Sequence, residues 1–417
     1  MKTTVLFFLC TLLAMHSFAQ PIEVEERAAY NFIYPQFNTI SNLPGLDSFY
    51  AKLVRLKKEG KGTVRIVHIG DSHIQADLLT APVRNQLQAY FGNAGRGLVF
   101  PYQLARSNAP PDIFSSSNTS WQYNRLAHPE IGITAGIAGF CIQSGAAHPV
   151  INLSLKPVND TAQTFTRVRI FTGADRDTDL LLHAGNNDTG FLLTRPTDTS
   201  LYLEARLDQP ASSFTLSPSG TPFYFYGASL EKGDSGVLYH VIGVNGATYG
   251  QFNKATLFWQ QLPALSADLY IVSMGTNEAQ KLFSDITELN LQLLGLVTKL
   301  RAASPQAAIL ITSPADSYLG GKSLSKPMKA ISTALADFCA AQQLPFWDLY
   351  TITGGYGSAR SWEKNKLMSR DRVHYIKPGY EVQGNLLFTA LAKGYNLYLG
   401  RFTNPFDLLD KQPAKDQ

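Results

Sequence analysis

The chain has 417 residues, of which 45% are hydrophobic and 16% charged, and a formal net charge of +4 at pH 7, an ordinary balance for a globular protein. Its one tight basic cluster, Arg55-Leu56-Lys57-Lys58, is too small for the broad cationic face that nucleic-acid binding needs. Past the first residues no apolar run is long enough to span a bilayer, and 3 cysteines are too few for a disulfide scaffold, which a chain of this length does not need to bury a core.

At the N-terminus Lys2 precedes the apolar stretch Val5 to Met15, with small residues Ser17 and Ala19 at the two positions a signal peptidase reads. Residues 1–19 therefore read as an export signal. Loss of Lys2 with it leaves a charge of +3, and the expected location is the periplasm or the exterior. Leu9 before Cys10 argues against a lipoprotein anchor, which needs a small residue there. Residues 20–60 form a lead-in segment.

Residues 64–69 (Val-Arg-Ile-Val-His-Ile) suit a strand buried on both faces of a parallel sheet. Val83, Leu87, Tyr90 and Phe91 recur at helical spacing, and Gly92 and Gly95 supply the stop. The alternation resumes with a strand at 269–272 and a helix carrying Ile286, Leu289, Leu293, Val297 and Leu300. A strand at 308–311, a helix from Met328 to Cys339, a strand at 345–347 and a helical run from Val382 to Leu391 follow. Strand and helix in turn predict a doubly wound α/β sheet, over residues 61–108 and 237–402.

Between 109 and 236 the pattern changes to short alternating runs separated by Gly, Asn, Asp and Pro, which predicts an inserted antiparallel β-sandwich. Its aromatics Trp121, Tyr123, Phe223, Tyr224 and Phe225 suit either a core or a sugar-stacking face. Cys141 and Cys339 read as buried thiols, with a bridge between them left open. The sequons at Asn118, Asn152, Asn159 and Asn187 arise easily in such loops and carry no weight. Residues 403–417 form a polar tail.

Ester chemistry needs a hydroxyl nucleophile, a base, a group that orients the base and donors for an oxyanion. Ser72, in Gly70-Asp71-Ser72-His73, follows the first strand at the carboxyl end of the sheet, where open α/β folds place ligands. Asp71 and Ser72 serve equally well as helix caps. Far downstream, Asp371 precedes His374 by three residues in one loop, a spacing that lets the carboxylate meet Nδ1 and leave Nε2 as base. His73 and Gln75 are candidates for lining the pocket, with hydrogen bonds to a neighbouring loop as the alternative. His68 and His240 read as core histidines. No metal site and no cofactor are expected, because no ligand set beyond His68 and His73 and no phosphate or dinucleotide loop is present.

Taken together, Gly70-Asp71-Ser72, Gly246 in the loop after Tyr239 to Ile242, Gly275-Thr276-Asn277-Glu278 and Asp371-x-x-His374 resemble the four blocks of the SGNH (GDSL-type) hydrolase superfamily. His73 replaces the usual Leu and Glu278 the usual Asp. The resemblance implies Ser72 as nucleophile, His374 as base, Asp371 as its orienter, and Ser72 N–H, Gly246 N–H and the Asn277 amide as oxyanion donors. The insert between the first two blocks, with Gly70 to Asp77 and Ala94 to Pro101, is similar to bacterial peptidoglycan O-acetylesterases and related carbohydrate esterases, some of which carry a carbohydrate-binding sandwich there. The expected activity is removal of small acyl groups from acetylated glycan or peptidoglycan. An O-acetyltransferase using the same residues, an esterase of lipids or small molecules, and a silent glycan-binding protein are the alternatives.

Overall fold

The computed structural model describes the chain except residues 1–19, 25–29, 130–133, 159, 174–179, 186–189, 220–221, 282–284 and 402–417. The expected export signal with Cys10, the sequons at Asn159 and Asn187, and the polar tail therefore lie outside the described residues.

The β-branched run after Gly62 forms the strand Thr63–Gly70, which is buried from Ile66 onward. It pairs in parallel with Gly236–Gly243 on one side and Leu269–Ser273 on the other. Ala308–Thr312 and Phe346–Trp347 continue the sheet in parallel. The short strand Ile40–Ser41, from the lead-in segment, closes that edge antiparallel. Numbered along the chain, the parallel strands stand in the order 2-1-3-4-5, so the topological switch point lies beside the first strand, where open α/β sheets bind their ligands.

Alternation along the strands sends side chains to two cores. Ile66, Ile271 and Leu310 meet Val83, Leu87 and Leu391 from the helices Thr80–Phe91 and Lys377–Gly400. Val67, Ile69, Val272 and Ile311 meet Leu293, Val297 and Leu335 from Ile286–Ala303 and Lys326–Ala341. Each fully buried aliphatic side chain stabilises the fold by about 1.5–3 kcal/mol relative to exposure. This is the doubly wound sheet the sequence predicts.

The middle of the chain forms two antiparallel sheets. One is built from Ile113–Ser116, Ile151–Leu155, Ser213–Pro218, Leu180–Ala184 and Phe191–Leu192. The other is built from Gln122–Arg125, Phe140–Ser144, Phe223–Glu231, Phe165–Thr172 and Leu203–Ala211. Phe165 and Phe214 meet edge-on between them, with ring centroids 6.4 Å apart. Gly95–Val99 also pairs with Phe223–Glu231, so residues expected to stop a helix and remain in the α/β part extend a sandwich sheet. Gly95-Arg-Gly hides that strand, whose apolar run is only Leu98-Val99. Trp121, Phe223 and Phe225 are buried, which puts them in the sandwich core. Cys141 and Cys339 are buried and unbridged, and burial pushes both thiols up to about 12. No helix among the described residues is long and apolar enough to cross a membrane.

Candidate active site

At the end of Thr63–Gly70 the chain turns through Asp71 into the short helix Ser72–Gln75. Asp71 is the N-cap, its carboxylate accepting from His73 N–H at 2.9 Å. Capping thus falls to Asp71 and leaves the Ser72 hydroxyl for another partner. The turn sits tightly on the neighbouring strand: a Cβ on Gly243 would lie 2.2 Å from Gln75 N, so only glycine admits the helix there.

Ser72 Oγ lies 2.8 Å from His374 Nε2, and His374 Nδ1 lies 2.7 Å from Asp371 Oδ2. The loop that carries the pair is held by Arg372 in the left-handed region, at φ 60°, and by Ser369 N–H donating to His374 O at 2.8 Å. Asp371 Oδ1 accepts from Ser369 Oγ at 2.5 Å and from Val373 and His374 N–H at 2.9 Å each. Partial burial raises the affinity of this carboxyl for a proton, but these bonds and the His374 ring outweigh it and hold the group well below the usual carboxylate range. A charged Asp371 fixes the proton on Nδ1 and leaves Nε2 as acceptor.

Ser72, Gly246 and Asn277 follow the ends of three adjacent strands, Thr63–Gly70, Gly236–Gly243 and Leu269–Ser273. Gly246 has φ +83°, a conformation that favours glycine. Around it Val244 N–H donates to Gly70 O at 3.1 Å and Ala247 N–H to Val244 O at 3.0 Å. Asn277 Nδ2 donates to Ala247 O at 2.8 Å, which ties it to that loop; an amide nitrogen carries a second hydrogen, available to a ligand. Glu278, next to Asn277, accepts from Tyr249 N–H at 2.9 Å. Burial, with the charge of Asp71 adding to it, pushes Glu278 up to about 7. Burial likewise pushes Asp71 up to about 6.

The two pocket candidates differ in where they face. Gln75 is 1% exposed, with its amide bonded to Ser107, Asn108 and Asn245. Its head group is thus taken up by protein partners on three sides. His73 is half-buried, bonded through Nδ1 to Tyr380 Oη at 3.0 Å, with its ring 5.1 Å from that of His374. It faces a cavity of about 30 Å³ beside Asp71, Thr276 and Gln383, and burial lowers it to about 3. His68 is a buried core residue held between Tyr239 Oη and Ser273 Oγ, each at 2.7 Å. His240 is buried too.

An open groove of about 550 Å³ runs beside His374, lined by Asn277, Gln280, Gly320, Gly321, Arg370, Asp371 and Val373. From the sandwich, His128 comes to the Gly246 loop: its Nε2 would stand 3.5 Å from a Cβ on Gly246. Sequence reasoning missed Arg370, Gln280, His128 and the two glycines. The Gly320-Gly321 pair marks a turn, but nothing local says that it faces the histidine. Among the described residues no group of three or more His, Cys, Asp or Glu is placed to hold a metal ion.

The model of the GDSL-like lipase/acylhydrolase family matches residues 214–382, a span that holds Gly246, Asn277, Asp371 and His374, while Ser72 completes the constellation from outside it. Over that span the chain is similar to GDSL-like lipases and acylhydrolases. No curated protein matches the sequence. Among solved structures, a peptidoglycan O-acetylesterase superposes with a TM-score of 0.72 at 22% identity, over 84% of this chain and 96% of that one. That extent covers most of both chains, so the fold is shared well beyond residues 214–382. A lipase/acylhydrolase from Enterococcus faecalis reaches a TM-score of 0.30 at 18% identity, over 38% of this chain and 77% of that one. A catalytic mutant of an acetylxylan esterase from Geobacillus stearothermophilus reaches 0.28 at 15%, over 40% and 73%.

Proposed function

We propose that this chain is a hydrolase of the SGNH type that acts outside the cytoplasm and removes acetyl groups from O-acetylated glycan, with peptidoglycan as the leading substrate, through an acyl-enzyme on Ser72. The observation that carries the reading is the hydrogen-bonded chain from Ser72 Oγ through His374 to Asp371, at 2.8 and 2.7 Å. In that chain His374 Nε2 takes the hydroxyl proton as Oγ attacks the acetyl carbonyl. Ser72 N–H, Gly246 N–H and Asn277 Nδ2 receive the oxyanion. Collapse expels the sugar hydroxyl, which takes the proton back from His374, and leaves acetyl on Oγ. Water, deprotonated by the same nitrogen, then releases acetate and restores the serine.

Two further observations support glycan over lipid. The groove beside the triad is lined by the amides of Asn277 and Gln280, Arg370, Asp371, His374, two glycines and a single aliphatic side chain, Val373, which suits hydroxyl-rich substrates rather than an acyl tail. The fold shared with a peptidoglycan O-acetylesterase supports the narrower substrate. Export is supported by the leader pattern of residues 1–19.

Aryl esters of rising acyl length test the acyl preference: activity should be greatest on acetate, and an optimum at long chains would make the protein a lipase. Acetate release from acetylated peptidoglycan and acetylated xylan, measured side by side, then sorts the glycan. A labelled acetyl donor separates hydrolysis, which yields free acetate, from transfer, which labels a second sugar. N-terminal sequencing of the secreted chain, expected to begin at Gln20, tests export.

A further inference from the structure

We propose that Gln75 is a positioning residue that sets the oxyanion loop against Ser72 and ties both to the root of the sandwich. The inference rests on the esterase reading above, in which Gly246 N–H receives the oxyanion.

Gln75 stands three residues after Ser72 on the same short helix, and its single amide spans three segments. Oε1 accepts from Asn245 N–H at 2.8 Å. Nε2 donates to Ser107 Oγ at 2.8 Å and to Asn108 O at 3.0 Å. Asn245 immediately precedes Gly246, and residues 107–108 lie where the chain has left Gly95–Val99 and approaches the first strand of the other sandwich sheet, Ile113–Ser116.

Within the loop, Val244, Asn245 and Ala247 N–H donate to Gly70 O, Gln75 Oε1 and Val244 O, and among the described residues Gly246 N–H has no acceptor. Three N–H groups are thus spent on holding the loop, and the fourth is left for a ligand. Only the Asn245 bond runs from a side chain of the nucleophile helix, so it transmits the position of Ser72 to the donor. A donor that drifts by a fraction of an ångström from the developing charge loses most of its electrostatic worth. Burial makes the three-way bond demanding as well: glutamate in its place keeps an acceptor for Asn245 but loses both donors, and methionine loses everything while filling a similar volume.

The test compares Gln75→Met, Gln75→Glu and Ser107→Ala with the wild type on a short aryl acetate, with melting temperatures taken in parallel. Gln75→Met should lower kcat by roughly 10 to 100-fold, with KM changed by no more than about twofold and the shape of the pH profile kept, because the triad is untouched. Gln75→Glu should recover part of that loss through its acceptor. Should Gln75→Met fail to fold, Ser107→Ala, which removes one acceptor only, carries the test with an expected fall in kcat of about two- to fivefold. An active wild type whose variants keep its kcat, or lose only KM, overturns this inference alone. A wild type inactive on every ester overturns the functional reading and this inference with it.

Discussion

His374 Nε2 meets Ser72 Oγ at 2.8 Å across 302 residues of sequence, while Asp371, only three residues away, holds the opposite ring nitrogen at 2.7 Å. The long-range contact exists because both residues end at the carboxyl edge of one sheet. The short-range one exists because Arg372 takes a left-handed turn that folds the carboxylate back on the ring.

Removing either end of the long contact should abolish turnover. Ser72→Ala and His374→Ala are each expected to lower kcat on a short acyl ester by on the order of 10,000-fold or more, with little effect on melting temperature. Steady-state kinetics and thermal denaturation of the same preparations check both halves of the statement.

The short contact is a tautomer lock. Asp371→Asn leaves the backbone donors of Val373 and His374 an acceptor, but its amide can donate to Nδ1 and put the proton on Nε2. A fall in kcat of roughly 10,000-fold is expected, and proton NMR of the ring should find the Nδ1–H signal in the wild type and not in the variant.

The proposed oxyanion donors differ in how they should fail. Asn277→Ala removes both the donor and the tie to Ala247 O, and kcat should fall by about 100 to 1,000-fold. In Gly246→Ala the new methyl meets nothing closer than His128 Nε2, at 3.5 Å, so its cost comes from the φ of +83° alone. Relaxation of that strain would rotate the donor. The fall should therefore appear in kcat rather than in KM.

Glu278 gives a pH signature of stability. Its carboxyl rises from 4.5 to about 7 on burial, so between those values the folded chain binds more protons than the unfolded one. Stability then falls as pH rises through that window. Glu278→Gln keeps an acceptor for Tyr249 N–H, and should flatten the melting temperature between about pH 4.5 and 7 and raise it above pH 7. An unchanged slope would mean that the charged form is accommodated.

A fifth expectation concerns the seam between core and sandwich. Arg96 Nη2 bonds Asp77 at 2.6 Å, and its Nε bonds Asp112 at 2.5 Å, with all three residues buried. Arg96→Met leaves two buried carboxylates short of their counter-charge, although Arg84 still reaches Asp77, and should destabilise the protein by about 3–5 kcal/mol. Denaturant titration checks the value.

The α/β frame was legible because its strands are buried on both faces and its helices carry apolar residues at 3.6-residue spacing, signals that survive in a single sequence. Asp371 and His374 stood out because they share one loop, and Ser72 only in the company of the other three blocks, since the strand before it suits a helix cap equally well. The sandwich strand Gly95–Val99 was not, since glycine-rich pairing leaves no alternation to read. Gln75 stayed open between pocket and neighbouring loop for a different reason: a polar side chain beside a nucleophile looks the same in sequence whether it faces substrate or three buried partners. Arg370, Gln280 and His128 gather only through tertiary packing, with no spacing that could announce them.

The central claim is that acyl transfer runs through Ser72. Mixing the enzyme with an isotopically labelled aryl acetate, quenching in acid within the first turnover and mapping the label by mass spectrometry should find acetyl on the Ser72 peptide, with neither label nor acetate release in Ser72→Ala. Acetate release from Ser72→Ala at the wild-type rate, or label on another residue that forms and decays with turnover, would contradict it.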